Sequence, residues 1–136
     1  MENRQDGKRN VKEAERLYRR AIKVDPRDAI AHNNLANLLM AERQDWDGAM
    51  SHLKTAIEID PSHANAHFNM GQLYEFGRND LIRARASYQR AVDLGHTRAQ
   101  EWLSRVIAKQ RQQRRSAGAA AGHFYLLTYL LTYLLT

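Results

Sequence analysis

The stretch AIEIDPSHANAHFNMGQLY, Ala56–Tyr74, decides the reading of the chain, because AIKVDPRDAIAHNNLANLL, Ala21–Leu39, says nearly the same thing 35 residues earlier. The same shift aligns Val11, Trp46 and Leu81, then Ala14, Ala49 and Ala84. It aligns Tyr18, Leu53 and Tyr88, then Ala21, Ala56 and Ala91. Pro26 and Pro61 match, with His96 in the third place, and His32, His67 and Trp102 share another position. A period of this size marks stacked units, none of which can bury its apolar side alone.

Each unit reads as two helices. The spacing predicts helices over 28–42 and 46–59 in one copy, and over 63–76 and 80–94 in the next. A lone second helix over 11–24 opens the array, with Val11, Ala14, Leu17, Tyr18, Ala21 and Ile22 at helical spacing. A last helix over 97–113 begins apolar, with Trp102, Leu103, Val106 and Ile107, and then turns polar as KQRQQRR. Pro26 and Pro61 cannot continue a helix, and Gly77 and Gly95 suit helix ends. Ser62 and Thr97 are the expected N-caps. Ala49 and Ala56 sit two turns apart on one face with Leu53 between them, so that a neighbouring helix can approach closely. Ala36 and Gly71 serve the same purpose on the first helices. A helical glycine costs about 1 kcal/mol against alanine, which close packing at Gly71 would offset.

The resulting expectation is an all-α stack of antiparallel helix pairs. A polar lead (1–10) precedes an array (11–115) made of a half repeat (11–26), two repeats (27–61 and 62–96) and a capping helix (97–115). A low-complexity apolar tail (116–136) follows. With about three repeats usually needed for stability, either the array continues elsewhere or the 11–24 face pairs with another molecule.

Composition agrees with a helical domain. Hydrophobic residues make up 43% of the 136, and only 2 prolines and 3 phenylalanines are present. Without cysteine, disulfides and thiolate metal sites are excluded. The polar start, MENRQDGKRN, lacks the apolar run of a secretory signal, and a cytoplasmic location is expected. Net charge is +6, yet residues 27–61 carry 3 basic and 6 acidic side chains while residues 97–136 carry 6 and 1. The positive excess therefore lies at the ends. Lys109, Arg111, Arg114 and Arg115 read as a solvated helix end, and no nucleic-acid partner is expected.

HNNLANLL followed by WDGAMSHLKTAIEIDP, and HFNMGQLY followed by LIRARASYQRAVDLGH, resemble the tetratricopeptide repeat family. Both copies are one residue longer than the usual 34-residue unit, near Ala41 and Phe76. The ending AVDLGHTRAQ is similar to Sel1-like repeats. The resemblance implies a right-handed superhelical stack with a concave groove lined by the first helix of each pair, where Asn33, Asn34, Asn37, Asn65, Phe68, Asn69 and Gln72 would bind a peptide. Side-chain amides both donate and accept, so they can hold a backbone of any sequence. Asn34 and Asn69, one repeat apart, are similar to the asparagine ladder of the O-linked N-acetylglucosamine transferase family. The family's carboxylate clamp is matched at Asn37 and Asn69. Its basic partners are replaced by Asn33, Gln100 and Ser104. Ile30, Phe76 and Leu103 are candidate apolar contacts.

The tail repeats YLLT with a period of four, against which a 3.6-residue helix drifts. Repeated CTTA in DNA would encode it, and disorder is expected. A tail anchor is the alternative, since Ala117–Thr136 is uncharged over about the length of a bilayer. His63 and His67, four apart, could chelate a metal, but no third ligand is evident, and no metal or other cofactor is expected. No phosphate loop, nucleophile elbow or HExxH motif is present. The functional expectation is a non-enzymatic adaptor. The alternatives are a regulatory repeat segment of a larger enzyme such as a glycosyltransferase, or a membrane-tethered adaptor.

Overall fold

A computed structural model describes residues 4–134 of the chain, and the described residues form helices and turns without a strand. The helices are α1 (Arg4–Val24), α2 (Ala29–Leu38), α3 (Trp46–Ile59), α4 (Ala64–Gln72), α5 (Leu81–Asp93) and α6 (Ala99–Leu134). Consecutive helices pack against each other as antiparallel hairpins, and α2 also meets α4 across the repeat boundary.

The 35-residue period is visible in atoms as well as letters. Asp28 and His63 cap α2 and α4, accepting from the backbone N–H of Ala31 (2.9 Å) and Ala66 (3.4 Å). Asp45 and Asp80 do the same for α3 and α5, through Gly48 and Arg83. Gln44 and Asn79 precede those caps, both left-handed at φ 52° and 51°. The His32 and His67 rings each donate from Nε2 to the carbonyl of Pro26 or Pro61, at 3.0 Å in both cases. The His32 Nδ1 in turn shares a hydrogen bond with His52 Nδ1, 2.9 Å away.

Three expectations need correction. Ser62 does not cap α4; its N–H and hydroxyl both turn back to Asp60 Oδ1, which leaves the capping place to His63. α1 starts at Arg4 rather than at Val11, so residues 4–10 of the expected lead are helical. The last helix does not stop at 115. α6 runs 36 residues to Leu134 with everything beyond Gln110 exposed. Nothing in that tail breaks a helix: it holds no proline, and its alanines and leucines are strong helix formers. Residues 1–3 and 135–136 lie outside the described residues.

The extra residue of each repeat has a structural counterpart. α2 and α4 both end in a wide π-helical turn, over Leu39–Arg43 and Leu73–Gly77. In the first, the Gln44 N–H reaches back five residues to Leu39 O. One added residue in a helix is accommodated by such a turn.

The core consists of small residues set against large ones. Ala49, Leu53 and Ala56 are fully buried, and so are their counterparts Ala84, Tyr88 and Ala91. A Cβ added to Gly71 would stand 2.5 Å from the Tyr88 ring. Gly77, expected only as a helix end, has a second reason to be small: a Cβ there would stand 2.6 Å from the Trp46 ring of the preceding repeat. Gly95 does terminate its helix, at φ 82°. His96 N–H bonds Ala91 O and Gly95 N–H bonds Val92 O, the paired pattern of a glycine C-cap.

Gly71→Val therefore forces the Tyr88 ring out of place. The substitution is expected to lower unfolding free energy by about 2–3 kcal/mol, as overpacking does, measured by urea denaturation. A variant as stable as the parent would contradict the close packing at this position.

Candidate peptide-binding groove

The first helices of the two repeats, α2 and α4, form one wall of a shallow groove, and the turn from α5 into α6 forms its end. All seven residues singled out from the sequence, Asn33, Asn34, Asn37, Asn65, Phe68, Asn69 and Gln72, line this depression of about 370 Å³, together with His96, Thr97 and Arg98. They gather there because positions four and 35 apart fall on one face of stacked helices.

Their roles divide by burial. Asn33 and Asn69 are only 5% and 8% exposed. The Asn69 amide donates to Asn33 Oδ1 at 2.9 Å, and Asn33 donates to Asn34 Oδ1 at 3.4 Å. The pair one repeat apart, Asn34 and Asn69, is thus joined through Asn33, and the chain of amides ties α2 to α4 as a floor. Asn37 and Asn65 are exposed, and Asn34 and Gln72 are half-buried, so these four hold the capacity for new hydrogen bonds.

No acidic side chain lines the groove, and its one formal charge is Arg98. The Arg98 guanidinium lies 5.8 Å from the centre of the Phe68 ring. On Phe68 stacks His96, at 4.2 Å and 13°. Burial, and then the Arg98 charge, push the His96 pKa down, which favours the neutral ring at pH 7. The other apolar candidates stand elsewhere. Ile30 is exposed, Leu103 is core, and Phe76 packs edge-on to Trp102. At the places of the absent clamp cations, Gln100 and Ser104 face solvent, with the Ser104 hydroxyl donating to the Gln100 carbonyl. His63 and His67 are occupied as cap and latch, and no cluster of metal-ligating side chains occurs among the described residues.

The sequence reading missed the clamp that fixes the groove's end. Glu75 is buried, with only 1% of its side chain accessible. It accepts from Tyr88 Oη at 3.0 Å, from Arg105 at 3.1 Å and from Lys109. In the preceding repeat the same two places hold Met40 and Leu53, both in the apolar core. A charge at a position that is apolar one repeat earlier was the available signal. Desolvation raises the Glu75 pKa, but the hydrogen bonds from Lys109, Arg105 and Tyr88 together outweigh it and hold the carboxyl below its ordinary 4.5. Burial, aided by the Glu75 charge, pushes the Tyr88 hydroxyl far up, so it remains a donor. Because Arg105 and Lys109 belong to α6, the buried carboxylate anchors the helix that follows the turn at the groove's end.

A carboxylate with a depressed pKa contributes stability that is present above its unfolded value and lost as pH falls through its folded value. Glu75→Gln is expected to cost about 2 kcal/mol at pH 7, a typical value for hydrogen bonds to a charged group. The gap to the parent should narrow as pH drops below 4.5. Thermal melts of both proteins across pH 3–7 check this, and a gap that persists unchanged at low pH would refute the assignment.

Comparison with known proteins bears on the repeats and the fold. A TPR repeat model matches residues 40–77 and a tetratricopeptide repeat model matches residues 17–50. No curated protein matches the chain. Among solved structures, the first TPR of Spaghetti (RPAP3) bound to HSP90 peptide SRMEEVD superposes with a TM-score of 0.68 at 21% identity. That match covers 79% of this chain and 83% of the other. The MamA RS-1 ArsTM double mutant gives a TM-score of 0.55 at 20% identity, over 79% and 70% of the two chains. Among the described residues no helix is long and apolar enough to cross a membrane: the uncharged distal part of α6 is diluted by its histidine, tyrosines, threonines and glycines. Residues 17–77 match models of the tetratricopeptide repeat, and the described helices adopt the helix-pair solenoid fold of the similar solved structures.

Proposed function

We propose that the chain is a non-enzymatic interaction module that holds an extended peptide segment in the groove between α2, α4 and the start of α6. The observation that carries this reading is the row of four accessible amides, Asn34, Asn37, Asn65 and Gln72, above a floor of amides already bonded to one another. Such a floor fixes the geometry of the row before a guest arrives, which cuts the ordering cost of binding. The similar Spaghetti domain is bound to a peptide, which supports a peptide as the guest. The amides would pair with the guest's backbone, and Arg98 would supply a single positive charge at one end.

A library of ten-residue peptides screened against the full chain would supply a ligand, and titration by fluorescence anisotropy would give its affinity. Replacing both Asn34 and Asn65 by Ala removes two hydrogen-bonding groups worth about 1 kcal/mol each. The expected loss is roughly 10- to 30-fold in Kd with unchanged helicity. Equal affinity in parent and double variant would remove the amide row from the binding site.

A further inference from the structure

The rule that packs the repeats also specifies what belongs at the open end of the stack. α3 and α5 each lie under the helix that precedes them, and their residues Ala49, Leu53, Ala84 and Tyr88 have no exposed surface. The same positions in α1 are Ala14 and Tyr18, and both are only half-buried. With Val11, Leu38 and Ala41 they line an open groove of about 370 Å³ between α1 and α2. Leu38 repeats the comparison: its counterpart Leu73 is completely buried. Among the described residues, no helix of the α4 kind lies over α1.

The pattern such a helix needs can be read from α4. Gly71 admits the Tyr88 ring, Leu73 is buried two residues on, and Tyr74 packs against both cores. The sequence is Gly-Gln-Leu-Tyr. The same spacing occurs once more, as Gly122-His123-Phe124-Tyr125 on the distal half of α6. There a Cβ added to Gly122 would meet nothing within 4 Å, and Phe124 and Tyr125 are 70% and 77% exposed. The proximal half of α6 cannot serve. At the Gly71 position it carries Val106, which is β-branched and already buried against α5. The distal segment has no charged residue and the groove has only Glu42, so little charge would be desolvated on contact. α6 packs on α5 and α1 packs on α2, at opposite ends of the stack, so the partner is a second copy of the chain.

We propose that the distal part of α6, Gly118–Leu134, docks into the α1–α2 groove of another copy. Gly122 receives Tyr18 as Gly71 receives Tyr88, and Phe124 and Tyr125 take the places of Leu73 and Tyr74. The contact joins unlike surfaces, so each docked copy still offers one free tail and one free groove. The product is an open chain of copies that grows with concentration.

Sedimentation equilibrium of the full chain tests this with two variants. Gly122→Trp blocks the tail while making it more apolar, so general stickiness would persist and docking would not. Ala41→Arg blocks the groove from an exposed position, where the other repeat carries the large Phe76. The parent is expected to rise in mass with concentration, each variant alone to stay at the monomer mass, and their equimolar mixture to reach twice that mass and no more. The mixture stops there because it has one intact tail and one intact groove per pair. A parent that stays monomeric, a Gly122→Trp variant that associates like the parent, or a mixture that stays monomeric would each overturn the proposal. Circular dichroism of both variants, matching the parent, confirms that the fold is kept.

Discussion

The approach of a large side chain to a position with almost none is the constraint on which this structure depends. Tyr88 fills the space that Gly71 leaves, and Leu53 shares a buried cluster with Ala36 at the same two places one repeat earlier. The residues are different but complementary in size: the bulkier ring faces the smaller partner. Interiors are packed to crystal-like density, so a volume added on one helix must be removed from its neighbour. That exchange sets the distance between helices within a pair. The pair spacing in turn lets the next pair stack and leaves the outer faces of α2 and α4 free to form a groove.

The second repeat shows how a polar contact can replace an apolar one in the same frame. Met40 and Leu53 become Glu75 and Tyr88, and Met70 and Tyr74, which belong to or pack against the cluster that holds Met40, are succeeded one repeat on by Arg105 and Lys109. A buried carboxylate is tolerated because three donors converge on it. Both cations are on α6, so the apolar contact between stacked units becomes, at the last unit, an ionic contact that specifies which way α6 lies. The cation–π contact of Arg105 with Phe76 (5.6 Å), from a different element, reinforces that orientation.

Much of the fold was legible because repetition turns one sequence into its own comparison. The bounds of α3 and the burial of Ala49, Leu53 and Ala56 followed from period and helical spacing, and the shared location of the seven groove residues followed from the family resemblance. The position of the one-residue excess was legible too, at the π-helical turns, although its geometry was not. Other features escaped because they depend on competition between neighbours. Ser62 is a good capping residue, but the Asp60 carboxylate reached it first. Gly77 looked like punctuation, whereas the Trp46 ring against it came from a different repeat. The floor role of Asn33 and Asn69 could not be told from the accessible role of Asn37 and Asn65, since the amides are chemically identical and only burial separates them. The tail's four-residue period argued against packing, which was no argument against helix.

The central claim, that complementary size across the helix pair sets the packing, is tested most directly by a double-mutant cycle at Gly71 and Tyr88. Gly71→Ala and Tyr88→Leu together copy the Ala36 and Leu53 pair into the second repeat. The account predicts that the double variant is more stable than the sum of the single losses implies, with a coupling of about 1 kcal/mol or more, read from urea denaturation at pH 7. Single-variant losses that simply add would mean that the two positions do not sense each other, and would contradict it.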